Sequence, residues 1–332
     1  MITRTLVIGD GGWGTAIATA LHRAGRAVTL WSVDNEYAKQ VAATRENIKF
    51  LAGVEIPQEI RWTGDIEAAL DGADEYYSVV PTQFLRATIE KFEGRLSHLP
   101  AVSATKGLEL DTLRRPTEIL FEAAGAQAGM SILSGPSHAE ETARGLATSI
   151  VVGSDDPAQA NRVQERLGSA SMRVYTSSDP IGVELGGALK NIIAVAAGLA
   201  DGIGLGDNAK AALVARGLVE MGRYGKACGA ERDTFFGLSG SGDLMVTCYS
   251  RHSRNRSLGE RIGKGESLDD ILAATEKVAE GVWTCKAIHA PASQMGIDMP
   301  ITERLHAILF GGVDPKDAVR DLMLRPVRAE TE

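Results

Sequence analysis

The chain has 332 residues, of which 44% are hydrophobic and 23% charged, the balance of a soluble globular protein with room for two domains. Its net charge of -8 argues against a nucleic-acid partner. The 3 cysteines, Cys228, Cys248 and Cys285, are far apart with no C-x-x-C pair, which argues against a disulfide framework or metal cluster and for reduced thiols in the cytoplasm.

The apolar stretch that opens the chain is too short for a signal-peptide core, and no segment is expected to span a bilayer. It reads as a first strand, residues 5–8, running into glycines. Residues 15–24 predict an alanine-rich helix closed by Gly25, which suits the position just past a helix end. Further strands are predicted at 27–31, 75–80, 101–104, 131–133 and 147–152, with helices at 65–70 and 84–92. Strands alternating with helices imply α/β architecture, a mostly parallel, doubly wound sheet with helices on both faces. From about Asp179 long helices take over, at 181–200, 209–228, 257–264, 268–274 and 284–294, and Pro291 is expected to kink or split the last. The boundary at 177–180 divides a sheet domain, 1–178, from an all-helical domain, 179–332. The charged tail 325–332 is expected to fray.

Gly9, Gly11 and Gly14 fit G-x-G-x-x-G, with Gly12 and Trp13 inside the motif. The match follows a strand and opens a helix, which is the context a dinucleotide fingerprint requires. Such glycines permit a tight turn and close approach of backbone to a pyrophosphate, which the helix N-terminus favours. Trp13 packs on the cofactor or belongs to the core. Asp10 is an awkward occupant, because a carboxylate repels phosphates. Asp34 stands about 20 residues past the last glycine, where a ribose 2′-hydroxyl partner is expected; an exposed loop acid is the alternative. No arginine occupies 32–35 to meet a 2′-phosphate, which favours NAD(H), with NADP(H) possible through Arg45 or a lysine elsewhere.

Lys190 is the one charged side chain between 185 and 200, in a run apolar enough for a buried helix. Desolvation favours the neutral amine and lowers its pKa, so a buried lysine trades protons near neutral pH. A helix-edge lysine with its stem packed and its head in water is the alternative. Lys106 follows a strand end at a glycine turn, where α/β sheets bind ligands. Asp243, among small residues, suits a ligand-facing helix start or a plain N-cap. Ser253, Arg254 and Asn255 open a helix that would seat a phosphate or simply carry a cap.

Several segments match one family together. They are 9–16 (GDGGWGTA), 47–50 (NIKF), 79–83 (VVPTQ), 103–109 (SATKGLE), 133–141 (LSGPSHAEE), 184–192 (ELGGALKNI), 206–211 (GDNAKA), 235–248 (FFGLSGSGDLMVTC), 253–256 (SRNR) and 278–281 (VAEG). With these the chain resembles the NAD(P)-dependent glycerol-3-phosphate dehydrogenases through nearly its whole length. The resemblance implies a Rossmann-type domain followed by an all-helical substrate-binding domain. It implies reversible reduction of dihydroxyacetone phosphate to sn-glycerol 3-phosphate, supplying glycerophospholipid synthesis, and a homodimer. It makes Lys190 the proton donor and acceptor, with Asn191, Lys106 and Asp243 in the catalytic set. Substrate would touch Lys106, Gly135, Ser137, Lys190, Asp243, Thr247, Ser253, Arg254 and Asn255. Cofactor would touch the glycine loop, Trp13, Val33, Asp34, Phe50, Lys106, Ala139, Arg254, Val278 and Glu280. Relatives often carry alanine or serine at Asp10, serine or asparagine at Gly12, and, where they use NADP, arginine at Val33. The alternatives are another Rossmann dehydrogenase acting on a 3-hydroxy acid, or a nucleotide sensor without turnover.

Overall fold

The structure, a computed structural model, describes residues 3–125, 128–274, 279–327 and 329–330. Eight strands form one sheet: β1 (Arg4–Ile8), β2 (Ala27–Trp31), β3 (Arg61–Thr63), β4 (Glu75–Ser78), β5 (Ala101–Ser103), β6 (Met130–Ser134), β7 (Thr148–Gly153) and β8 (Met172–Ser177). Their spatial order is β8-β7-β6-β5-β4-β1-β2-β3. Within this sheet only β6 and β7 pair antiparallel. The first six strands follow the order of a dinucleotide-binding sheet, whose ligand crevice lies at the carboxyl ends where the winding reverses. Ile8 aligns with Trp31 of β2 on one side and Ser78 of β4 on the other. The glycine loop therefore leaves the sheet at that switch point.

After Ser177 no strand occurs among the described residues, and helices pack around one central helix, Pro180–Gly202. Asp179 caps it, accepting from Gly182 N–H at 2.8 Å. Every residue from Gly182 to Ala200 is buried. By length and composition this helix would suit a bilayer, but the protein itself covers it completely. Glycine stripes let the Arg254–Gly263 helix cross it with backbones touching. A Cβ added at Gly259 would lie 1.9 Å from the Val195 carbonyl oxygen, and one at Gly198 would lie 1.8 Å from that of Arg256. The central helix is also tied to the sheet domain. Glu184 accepts from Arg115 Nη1 at 2.9 Å, from Thr117 N–H at 2.8 Å and from Thr117 Oγ1 at 2.7 Å.

The predicted strands and long helices are present, and Gly25 follows its helix with φ +80. Pro291 does not split its helix, which runs unbroken over Glu280–Gln294. It sits in the last turn, where the only bond it forfeits is to the Ala287 carbonyl. The sequence reading passed over β3, β8 and the helices Asn35–Thr44, Pro116–Ala124 and Pro157–Leu167. β8 alternates buried and exposed along its first residues at the sheet edge, so it lacks the continuous apolar run of the inner strands. The Asn35–Thr44 and Pro157–Leu167 helices are largely polar and bury only a narrow stripe.

Candidate active site

The central helix delivers Lys190 to the carboxyl edge of the sheet, where loops from both halves of the chain meet. Its Nζ donates to Asp243 Oδ1 at 2.9 Å and to Thr247 Oγ1 at 2.7 Å. The ammonium does not reach into bulk water: only 8% of the Lys190 side chain is exposed. An ammonium has three donors, and two are engaged, so one remains for a ligand. Burial is the main cause that pushes the Lys190 pKa down to about 8; Asp243 opposes the shift and Lys106 adds to it.

Asp243 opens the Asp243–Tyr249 helix, which follows a π-helical turn over Leu238–Gly242. Its second oxygen accepts from Lys106 Nζ at 2.6 Å. Burial alone would raise the Asp243 pKa, but the two ammoniums outweigh it and hold the carboxyl below its usual value. Thr247, one turn on, donates to the Asp243 carbonyl at 2.6 Å. Lys106 also donates to the Gly135 carbonyl at 3.2 Å and reaches Ser137 Oγ at 3.5 Å. Gly187 makes room for this crossing, since a Cβ there would lie 2.6 Å from Ser134 Oγ and 3.4 Å from Lys106 Cγ. Two ammoniums against one carboxylate leave net positive charge in a largely buried site, which suits an oxyanion that forms there.

Asn191 and Asn255 occupy a buried relay. Asn255 Nδ2 donates to Asn191 Oδ1 at 2.9 Å, and the Gly281 N–H donates to Asn255 Oδ1 at 2.9 Å. One N–H of the Asn255 amide is left for a ligand. Ser253 caps its helix, accepting from the Arg256 N–H at 3.2 Å. Arg254 makes no hydrogen bond or ion pair among the described residues. The residue is exposed, and its guanidinium lies in the fields of Glu280 and Glu140. Glu280 Oε1 accepts from the Thr82 N–H at 3.0 Å, while Oε2 is buried without a partner. Burial pushes Glu280 up to about 7 against Thr82 and Arg254. Val278 lies outside the described residues.

The glycine loop fits a dinucleotide. The Gly12–Arg23 helix begins with no side-chain cap, so its first N–H groups are open to an anion. A Cβ at Gly11 would meet nothing within 4 Å, whereas one at Gly9 would lie 2.9 Å from the Val79 carbonyl oxygen and one at Gly14 2.0 Å from that of Gly9. Gly9 and Gly14 thus serve the turn, and Gly11 faces the groove. A Cβ at Gly12 would lie 2.8 Å from the Phe50 carbonyl oxygen and 3.6 Å from Ala139 Cβ, which brings Phe50 and Ala139 to the loop. Trp13 packs against apolar side chains of the sheet domain, and its Nε1 is buried without a partner. Val33 is 63% exposed at the end of β2. Asp34 there caps the Asn35–Thr44 helix, accepting from the Tyr37 N–H at 3.0 Å.

His138 was not singled out from the sequence. Its Nε2 is buried without a partner, and its pKa is lowered by burial and then by Lys190. Arg45, the alternative 2′-phosphate partner, lies beside the Pro57 and Ile60 carbonyls. Its Nη1 donates to the Ile60 carbonyl at 2.8 Å and the Pro57 carbonyl at 3.4 Å. Among the described residues no group of three or more His, Cys, Asp and Glu is placed to hold a metal, and the three cysteines are free.

Residues 4–160 match the family model described as NAD-dependent glycerol-3-phosphate dehydrogenase N-terminus, and residues 179–320 the model for its C-terminus. A protein of Chlorobium limicola named glycerol-3-phosphate dehydrogenase (NAD(P)+) is 46% identical over 331 residues, covering 98% of each chain. A protein of Nitratidesulfovibrio vulgaris with the same name is 45% identical over 98% of this chain and 99% of its own. The crystal structure of glycerol-3-phosphate dehydrogenase from Coxiella burnetii superposes with a TM-score of 0.92 at 36% identity, covering 98% of this chain and 99% of that one.

Proposed function

The chain belongs to the NAD-dependent glycerol-3-phosphate dehydrogenase family, and from that premise we propose that it interconverts dihydroxyacetone phosphate and sn-glycerol 3-phosphate with Lys190 as proton donor and acceptor. The observation that carries this reading is the buried Lys190 ammonium, oriented by Asp243 and Thr247 with one donor left over. Nicotinamide, when bound, supplies or takes back the hydride. The protein orients the ketone, excludes water and delivers a proton from Lys190 Nζ to the nascent alkoxide oxygen. Lys106 adds positive charge on the other side of Asp243.

Substrate recognition falls to Gly135, Ser137, Thr247 and the helix start at Ser253, Arg254 and Asn255. Arg254 is the natural phosphate partner, because its guanidinium has no protein partner among the described residues. Asn255 contributes one N–H, its other groups being committed to the relay with Asn191. The cofactor lies along Gly9, Gly11, Gly12, Trp13 and Gly14, past Phe50 and Ala139, with Val33 and Asp34 at the ribose end. Lys106, Arg254 and Glu280 take the nicotinamide end, where the unpartnered Glu280 Oε2 suits a donor. Residues 1–178 thus hold most of the cofactor, and 179–332 supply most of the substrate contacts and close the nicotinamide end. NAD(H) is the favoured cofactor. The enzyme works in the cytoplasm as a homodimer, for which exposed Phe236, Met245 and Tyr249 offer apolar surface, and its product feeds glycerophospholipid synthesis. The test is an assay of NADH and NADPH oxidation by purified protein with dihydroxyacetone phosphate. Absence of ketone-dependent oxidation with either cofactor overturns the reading in favour of a sensor.

A further inference from the structure

Asp10 places a carboxylate inside a loop built to receive phosphates, and its side chain turns aside from that loop. Ser32 Oγ donates to Asp10 Oδ2 at 2.6 Å, and Ser32 is the first residue after β2. The Asp34 N–H donates to the same Ser32 hydroxyl oxygen at 3.2 Å. The Asp10 carbonyl accepts from Asn47 Nδ2 at 2.7 Å, and Asn47 Oδ1 accepts from Tyr37 OH at 2.7 Å. Asp10 is thus held at both main chain and side chain, with its carboxylate against the carboxyl end of β2. In a sheet of this order the adenosine ribose lies at that end, and a 2′-phosphate, where the cofactor has one, lies there too.

The cations nearby do not assemble into a 2′-phosphate seat. Arg45 is bound to the Pro57 and Ile60 carbonyls. Arg61 faces Asp71 at 3.8 Å and Lys39 faces Glu36 at 2.7 Å. Lys49, the cation whose field reaches Asp10, lies over the Phe50 ring at 5.2 Å. Asp34, the expected ribose partner, has one oxygen committed to its helix cap.

We propose that Asp10 is a cofactor-specificity residue: its anchored carboxylate accepts from a ribose 2′-hydroxyl and repels a 2′-phosphate, so that the enzyme selects NADH over NADPH. The inference rests on the dinucleotide reading of the glycine loop and deepens it. A hydroxyl is a donor that a carboxylate satisfies, whereas a phosphate brings only like charge and acceptors to the same oxygen atoms.

The test is binding to the enzyme without substrate, followed by nucleotide fluorescence, for NADH and NADPH separately, with a thermal melt on each variant. The wild type is expected to bind NADH at least about ten-fold tighter. Asp10→Asn keeps the shape and removes the charge; it is expected to shrink that ratio several-fold, chiefly by tightening NADPH. Glu36→Gln, an exposed carboxylate on the Asn35–Thr44 helix that faces Lys39, is expected to leave the ratio nearly unchanged. Equal wild-type affinities overturn the proposal, as does a ratio that D10N leaves unmoved or that E36Q lowers as much as D10N does. Failure of the wild type to bind either nucleotide overturns the dinucleotide reading itself, which distinguishes the two failures.

Discussion

Lys190 Nζ meets Asp243 Oδ1 at 2.9 Å although 53 residues separate them in the chain. The contact is buried, and Lys106 takes the other oxygen of the same carboxylate at 2.6 Å. One carboxylate therefore orients two ammoniums and keeps apart charges that would otherwise repel. The arrangement also tunes Lys190: burial draws its pKa down, Asp243 draws it up, and the result is about 8.

That value sets a pH profile. With Lys190 in the proposed role, reduction of the ketone draws on the ammonium, so kcat/KM for dihydroxyacetone phosphate is expected to be level below about pH 8 and to fall above it. Oxidation of glycerol 3-phosphate draws on the neutral amine and should fall as pH drops through the same region. Lys190→Met is expected to lower kcat by about 10² to 10⁴ while leaving NADH affinity nearly intact. Substantial residual kcat would refute the proton-donor role.

Asp243→Asn removes the charge that raises the Lys190 pKa. The alkaline limb of the reduction profile should then move to lower pH. The buried Lys190 and the part-buried Lys106 also lose their counter-charge, and breaking a buried pair costs about 3–5 kcal/mol, so the melting temperature should fall. A limb that stays in place would remove Asp243 from control of Lys190.

Arg254→Ala tests the phosphate seat. A charged hydrogen bond contributes about 1.5–3 kcal/mol, so KM for dihydroxyacetone phosphate should rise about ten- to hundredfold. Because ground state and transition state share the phosphate contact, kcat should change much less. An unchanged KM takes Arg254 out of substrate binding.

Gly259→Ala tests the helix crossing that carries Arg254 toward Lys190. The new methyl would stand 1.9 Å from the Val195 carbonyl oxygen, which is backbone and cannot swing aside. Overpacking of this kind costs about 1–3 kcal/mol or more, and the Arg254 helix must shift. Calorimetry should show a lower melting temperature, and KM should rise. Gly222→Ala is the comparison: its methyl would meet Arg232 Cγ at 3.9 Å, ordinary contact within a helix, and stability should hold or improve. Equal effects of the two would mean that the crossing is not backbone-tight.

What the chain order alone determined was local and periodic. The glycine loop after β1, the run of inner strands and the long apolar helix around Lys190 each follow from side-chain pattern within a short window. The lone charge in that helix was legible for the same reason, since a buried lysine must find a partner. Which partner it finds was a tertiary matter: Asp243 and Thr247 reach it only because the Asp243–Tyr249 helix packs against the central one. Tertiary packing also set Asn255 in a relay with Asn191 and Gly281, and pointed Asp10 at Ser32. Short polar side chains have several local partners within reach, and their sequence neighbours do not rank those partners. Edge strand β8 and the polar helices were decided late as well, because they bury too narrow a face for periodicity to mark. A fold written in apolar spacing can be read along the chain, while polar geometry waits for the elements to meet.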